Sequence, residues 1–214
     1  MNWITRIIGG RTEAQPLEPG VAETLAHWQS LPDADLDRAH FETRYVVLNT
    51  EATGLNLDRD RLLAVGAIGV DAGLVASEDS YYATLEPAPG PALSSLLAFS
   101  RKAPLVVFNA AFNLGMLEPV IEDRLGVSFD SPAIDLYFLL PALFSELHSS
   151  PVRLGDWMAS FGIETFQRHH ALGDGWAIAQ LFLAAQARGL AQGASSPRAL
   201  IELERAYRQY RRKA

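Results

Sequence analysis

Cysteine is absent from the 214 residues, which excludes disulfides and thiolate metal centres and makes the cytoplasm the simplest expected compartment. No apolar run approaches the length of a membrane span, and the apolar patch within Met1 to Gly10 is too short for the core of a secretory signal. A glycine-rich phosphate loop is missing too, so nothing points to the nucleotide-binding α/β proteins built on one. Positive charge is scarce: 18 Lys and Arg stand against 25 Asp and Glu, a formal net charge of −7. Such a chain is poorly suited to nonspecific duplex binding, which needs many phosphate contacts, yet it can still hold a few nucleotides at a strand end.

What is present is ordinary for a globular protein. Hydrophobic residues make up 49% and charged residues 20%, enough for one well-buried domain with short extensions. Residues 1–43 read as an N-terminal helical extension. It has an amphipathic start at Trp3, Ile4, Ile7 and Ile8, a loop rich in Pro and Gly, and a helical pattern through Leu25 and Trp28. Its apolar face must pack on the core or dock a partner. Residues 191–214 read as a basic amphipathic helix, with Leu200, Leu203, Tyr207 and Tyr210 as a core-facing stripe and the run Arg211, Arg212 and Lys213 at its end. This basic end is a second candidate surface for a partner.

Between them, residues 44–190 carry the main pattern. Tyr45 to Thr50, Leu62 to Val70 and Ser80 to Leu85 read as strands joined by short turns, an antiparallel meander. A helix over Ala92 to Phe99 then leads to a strand over Pro104 to Phe108, a connection that suits a parallel crossover. A helix is expected from Ala110 toward Leu125, kinked at Pro119, which lacks the donor for an i→i−4 bond. Ala133 to Asp135 reads as a short last strand, with Asp135 capping a helix over Leu136 to Leu147 or supporting the site. Further helices are expected over Pro151 to Phe161, Ala171 to Leu190 and Ser196 to Arg212.

Three polar segments sit at the ends of these elements. Asn49, Thr50, Glu51, Ala52, Thr53 and Gly54 close the first strand, with Asn49 and Glu51 two apart and so on one side of it. Phe108, Asn109, Ala110, Ala111, Phe112 and Asn113 run from a strand into a helix. His169, His170, Ala171, Leu172, Gly173 and Asp174 open the longest apolar helical stretch. Element ends around one sheet are where open α/β folds place their sites.

In order and spacing these segments resemble the motifs of the DnaQ-like 3′→5′ exonuclease family, the group of the DNA polymerase III epsilon-type proofreading subunit and RNase T. Those motifs are Asp-x-Glu-Thr-x-Gly, Asn-Ala-x-Phe-Asp and His-x-Ala-x-x-Asp. The resemblance covers roughly Arg44 to Leu190. It implies a ribonuclease H-like α/β fold, with a mixed five-stranded sheet, three strands antiparallel and then two parallel, flanked by helices. It also implies metal-dependent hydrolysis of phosphodiesters at the 3′ end of single-stranded DNA or RNA. In the family the first Asp bridges two ions, the Glu and the last Asp complete one shell, and the His is general base.

Carried over, the site residues are Asn49, Glu51, Asn113, His169 and Asp174. Thr53, Gly54, Leu55, Asn109 and Phe112 fall where the family contacts substrate, and Asn49, Glu51 and Asp174 where it binds metal. Two of the four acidic positions are amides. An Asn offers one neutral oxygen and cannot replace a carboxylate shared by two dications, so Mg²⁺ or Mn²⁺ is expected to bind weakly or not at all. Activity is expected to be weak or lost. The alternative is an inactive module of the same fold that binds nucleic acid, a nucleotide or a protein. Departures at Ala52, Phe108 and Gly175 favour natural divergence over an isolated exchange of two residues.

Overall fold

The computed structural model describes residues 17–213, so the expected amphipathic start at Trp3 to Ile8 lies outside the described residues. Five strands form one sheet: β1 (Tyr45–Ala52), β2 (Leu62–Asp71), β3 (Leu74–Thr84), β4 (Leu105–Val107) and β5 (Ala133–Asp135). Their spatial order is β3-β2-β1-β4-β5. β1, β2 and β3 pair antiparallel, and β4 and β5 join parallel to β1, so the ribonuclease H-like sheet implied by the resemblance is present. Among the described residues seven α-helices flank it: α1 (Pro19–Ser30), α2 (Pro89–Ser100), α3 (Ala110–Leu125), α4 (Leu136–Leu143), α5 (Leu154–Phe161), α6 (Ala171–Ala191) and α7 (Pro197–Lys213).

Alternation along β1 divides the interior in two. Tyr45 and Val47 join Ile68, Val106 and Ile134 beneath α4, α5, α6 and α7. Val46 and Leu48 join Val65, Leu105 and Val107 beneath α1, α2 and α3. Because successive strand side chains point to opposite faces, Asn49 and Glu51 belong to the α6 side and Thr50 to the α3 side. At about 25 cal/mol per Å² of apolar surface, the fully buried leucines and isoleucines on both faces each stabilise by about 1.5–3 kcal/mol.

Some elements differ in extent from expectation. β3 begins at Leu74, not Ser80, because Ala72 and Gly73 both adopt positive φ, 50° and 73°, and close a two-residue hairpin that pairs Asp71 with Leu74. Its polar residues Ser77, Glu78 and Asp79 hide this edge strand from a hydrophobicity reading. α4 stops at Leu143 instead of Leu147 because Phe144 leaves helical geometry and sets its ring edge-on to Phe161, centroids 5.1 Å apart. Pro119 lies inside a continuous α3.

The flanking segments are built into the same body. α1 buries Val21, Leu25 and Trp28 and lies against α2, with Trp28 Nε1 donating to the Arg101 carbonyl at 2.5 Å. α7 packs on α4 and β5 and buries Leu200, Ile201 and Glu204. Of its basic residues, Arg198 pairs with Asp37 at 2.6 Å and Arg208 turns inward to Glu204 at 2.8 Å. No helix among the described residues is long and apolar enough to cross a membrane.

Candidate functional site

The C-terminal end of β1 meets the N-terminal turn of α6, and a single residue of that turn, Ala171, is held by the two polar side chains on that face of the strand. Glu51 Oε1 accepts from the Ala171 N–H at 2.7 Å, and Asn49 Nδ2 donates to the Ala171 carbonyl at 3.4 Å. The first is a short, charge-assisted bond at a helix N-terminus, where the dipole favours a carboxylate. The second is long and weak. Gly66, paired with Asn49 on β2, allows the close approach: a Cβ there would lie 2.8 Å from the Ala171 carbonyl carbon.

Asp174, in the first turn of α6, is buried and fully engaged. Its Oδ1 takes Arg168 Nη1 at 2.5 Å and its Oδ2 accepts the His169 N–H at 3.2 Å. Burial pushes the carboxyl up from its ordinary value; Arg168 and the His169 N–H oppose this, and the charge on Glu51 adds to it. The loop before α6 is closed by Thr165 Oγ1 donating to the Gly173 carbonyl at 2.6 Å. Gly173 itself has no room for a side chain, because a Cβ there would run into the Gln167 carbonyl oxygen.

His169 is exposed, with φ 62°, and its main chain serves Asp174. His170 is the imidazole held against the sheet. Its ring stacks on Tyr82 of β3, centroids 4.7 Å apart and planes 23° apart, and its Nδ1 is buried without a partner. Phe166, 69% exposed, continues the aromatic run at 6.1 Å from the His170 ring. Burial, and then the negative charge of Glu51, raise the Tyr82 hydroxyl above its ordinary pKa, which puts that phenol in the field of the site.

Asn113 does not join this group. It sits on the α3 side of β1, buried, with its Oδ1 accepting from both the N–H and the hydroxyl of Thr50 at 2.9 Å. Its Nδ2 donates to the carbonyls of Phe108 at 2.9 Å and Asn109 at 3.3 Å. Asn109 caps α3 from left-handed geometry, φ 68°, accepting the Phe112 N–H at 3.4 Å, and Phe112 is half-buried beside the α3-side core. Asp135 binds the same turn from the opposite side, accepting from Asn109 N at 2.9 Å and Ala110 N at 3.0 Å, and it caps α4 through Tyr137 N at 3.0 Å.

The loop from β1 to β2 is self-tied. Asp60 accepts from Thr53 Oγ1 and Asn56 N, both at 2.8 Å, and its carboxyl fills the space a side chain at Gly54 would need. Leu55 stands out from this loop, 84% exposed.

The structure thus brings Asn49, Glu51 and Asp174 to one turn, with His169 and His170 adjoining, and leaves Asn113 on the far face of the strand. Two contributors were not recognised in the sequence. Tyr82 lies in the polar half of an edge strand. Arg168 stands immediately before the His motif, and that cation beside an acid-bearing motif was the available signal.

The donor set does not fit a two-ion centre. No three His, Asp or Glu side chains form a metal-binding group among the described residues. Asn49 is neutral, Asp174 already faces a guanidinium, and Glu51 is turned to a backbone N–H.

No protein-family model matches the chain. The PolC-type DNA polymerase III of Thermotoga maritima is 25% identical over 170 residues, covering 69% of this chain and 12% of that protein. The PolC-type DNA polymerase III of Clostridium perfringens is 24% identical over 162 residues, covering 66% and 11%. The chain therefore spans 12% or less of the length of these relatives. Among solved structures, E. coli Exonuclease I in complex with a dT13 oligonucleotide superposes with a TM-score of 0.52 at 16% identity, covering 70% of this chain and 42% of that one. A zinc-bound E. coli ExoI–ssDNA complex gives 0.53 at 19% identity, covering 75% and 42%. At these identities the structural likeness concerns the fold.

Proposed function

We propose that this chain, which belongs by sequence and fold with the DnaQ-like 3′→5′ exonuclease family, receives the 3′ end of a single strand at the N-terminus of α6 and hydrolyses it slowly or not at all. The observation that carries this reading is the convergence of Asn49, Glu51 and Asp174 on the first turn of α6. Two surfaces beside it suit a strand end. Phe166, His170 and Tyr82 give aromatic faces for stacking, and the exposed Leu55 on the opposite loop gives an apolar edge. Thr53, Gly54, Asn109 and Phe112, where the resemblance puts substrate contacts, complete the proposed contact set. Gripping only a terminus is compatible with the net charge of −7.

Slow or absent turnover follows from the donors. In an acid-rich centre of this kind the ions generate hydroxide and stabilise the leaving oxygen. Here Glu51 and Asp174 are the only motif carboxylates, and Mg²⁺ or Mn²⁺ binds weakly. His169 then has no acidified water to deprotonate. The surfaces for a partner protein are the N-terminal segment and Arg205, Arg211 and Arg212 of α7, since Arg198 and Arg208 are engaged within the protein.

Fluorescence anisotropy tests the binding half with a linear labelled single strand and its circular counterpart. Preference for the linear strand is expected, and equal affinity overturns the end-binding reading. A Mn²⁺ assay on the same strand tests the other half: cleavage at or slightly above that of the Glu51→Gln, Asp174→Asn variant is expected, and vigorous metal-dependent cleavage overturns it.

A further inference from the structure

We propose that Arg168 is the resident cation of this site, supplying to Asp174 the counter-charge that a divalent ion would supply in an acid-rich phosphodiesterase centre. The inference rests on reading the turn at the start of α6 as a degenerate metal site and adds the residue that replaced the metal.

A buried carboxylate needs a counter-charge, because desolvating an unpaired one costs far more than any single hydrogen bond returns. The Asp174 side chain is 12% exposed, and both of its oxygens are engaged, one by the His169 N–H and one by Arg168 at 2.5 Å. With Asn49 in place of an acid, two ions no longer have ligands enough to supply that counter-charge. A guanidinium supplies it permanently, since Arg stays protonated at any working pH.

Arg168 is positioned for this from behind. Its Nη1 also meets Met158 Sδ at 3.1 Å on α5, and Nη2 passes Gly155, where even an added Cβ would stand 3.9 Å away. The guanidinium therefore lies between α5 and the first turn of α6. It ties α5 to the first turn of α6 through one side chain. A guanidinium cannot acidify a water, so the exchange preserves the architecture of the site and removes its chemistry.

The pairing makes a specific demand: an ion reaching Asp174 must displace Arg168. Mn²⁺ binding to the full chain, followed by the paramagnetic resonance of free Mn²⁺ without nucleic acid, reads this directly. Arg168→Gln is expected to bind Mn²⁺ about tenfold more tightly than the parent, the scale of one charge-assisted hydrogen bond released. Adding Asp174→Asn is expected to abolish the gain, and Arg168→Lys, which keeps the charge, is expected to stay as weak as the parent. Affinity unchanged in Arg168→Gln, a gain that survives Asp174→Asn, or equal gains with Lys and Gln each overturns the proposal. Should Arg168→Gln fail to fold, Arg168→Met, with an apolar chain against Met158, gives the same readout. Because no strand is present, failure here leaves the linear-versus-circular result standing, and the reverse also holds.

Discussion

On the α3 side of β1, Asn113 makes four hydrogen bonds between 2.9 and 3.3 Å and leaves no polar valence unused. On the α6 side, Asn49 makes one, at 3.4 Å. Both residues stand where the resembling family has an acid, yet they are held in different ways. Asn113 must donate to two carbonyls and accept from two groups of Thr50, a task a carboxylate cannot perform. Asn49 merely touches the Ala171 carbonyl. The amide at 113 is part of how β4 turns into α3; the amide at 49 is a feature of the site alone.

The β4–α3 turn shows the complementarity most plainly. Its N–H groups, from Asn109 and Ala110, are met by the carboxylate of Asp135, and its carbonyls, from Phe108 and Asn109, by the amide of Asn113. Donors face an acceptor and acceptors face a donor, so Asp at 135 and Asn at 113 are not interchangeable.

Reverting the two amides separately is the strongest way to break this comparison. Asn113→Asp sets a carboxylate oxygen against two carbonyls and is expected to lower the unfolding free energy by about 3 kcal/mol in a denaturant titration. Asn49→Asp is expected to change it by about 0.5 kcal/mol or less. Equal effects would show that the two faces are not distinct.

Glu51→Ala probes the α6 face at its firmest point. Loss of the 2.7 Å bond to the Ala171 N–H is expected to cost about 1.5 kcal/mol. Faster hydrogen exchange at the start of α6 should accompany the loss, with the β4–α3 turn unaffected. Exchange spreading equally into that turn would mean the two faces move as one.

A pH series sharpens the contrast further, because the amide clip cannot titrate and the acids behind the turn can. Burial raises both Asp135 and Glu204 from their ordinary values, opposed for Asp135 by its N–H partners and for both by Arg208. For acids whose folded pKa lies above the unfolded one, the stabilisation is complete below the unfolded value and is lost as pH rises through the folded value. The parent protein is therefore expected to lose this contribution as pH climbs from about 4. Glu204→Gln should lose less of it. Difference curves of the denaturation midpoint isolate the effect, since Asp79, lowered by Arg44, acts oppositely in both proteins.

Much of the fold was legible because burial writes itself into sequence. The runs at Tyr45 to Leu48 and Leu62 to Val70 are apolar on both faces, as strands covered by helices on each side must be, and α6 is apolar nearly all round. β3 was legible only in its second half, because an edge strand needs no apolar face along its outer part. In the site, the spacing of Asn49 and Glu51 sufficed to put both on one side, since strand alternation is a local property. Nothing local told which way Asn113 would turn: that depends on how α3 lands on the sheet and which orphan groups it finds there.

The chain's own order of residues determined the sheet, its direction changes and the meeting of three motif segments at one end of β1, because period and spacing are encoded residue by residue. Only tertiary packing decided that Arg168 would face Asp174, that Tyr82 would lie under His170, and that Asn113 would look away from the group it was expected to join. Hydrogen-bond partners distant in sequence are chosen by satisfying every buried donor and acceptor at once, and that condition exists only when the helices are in place.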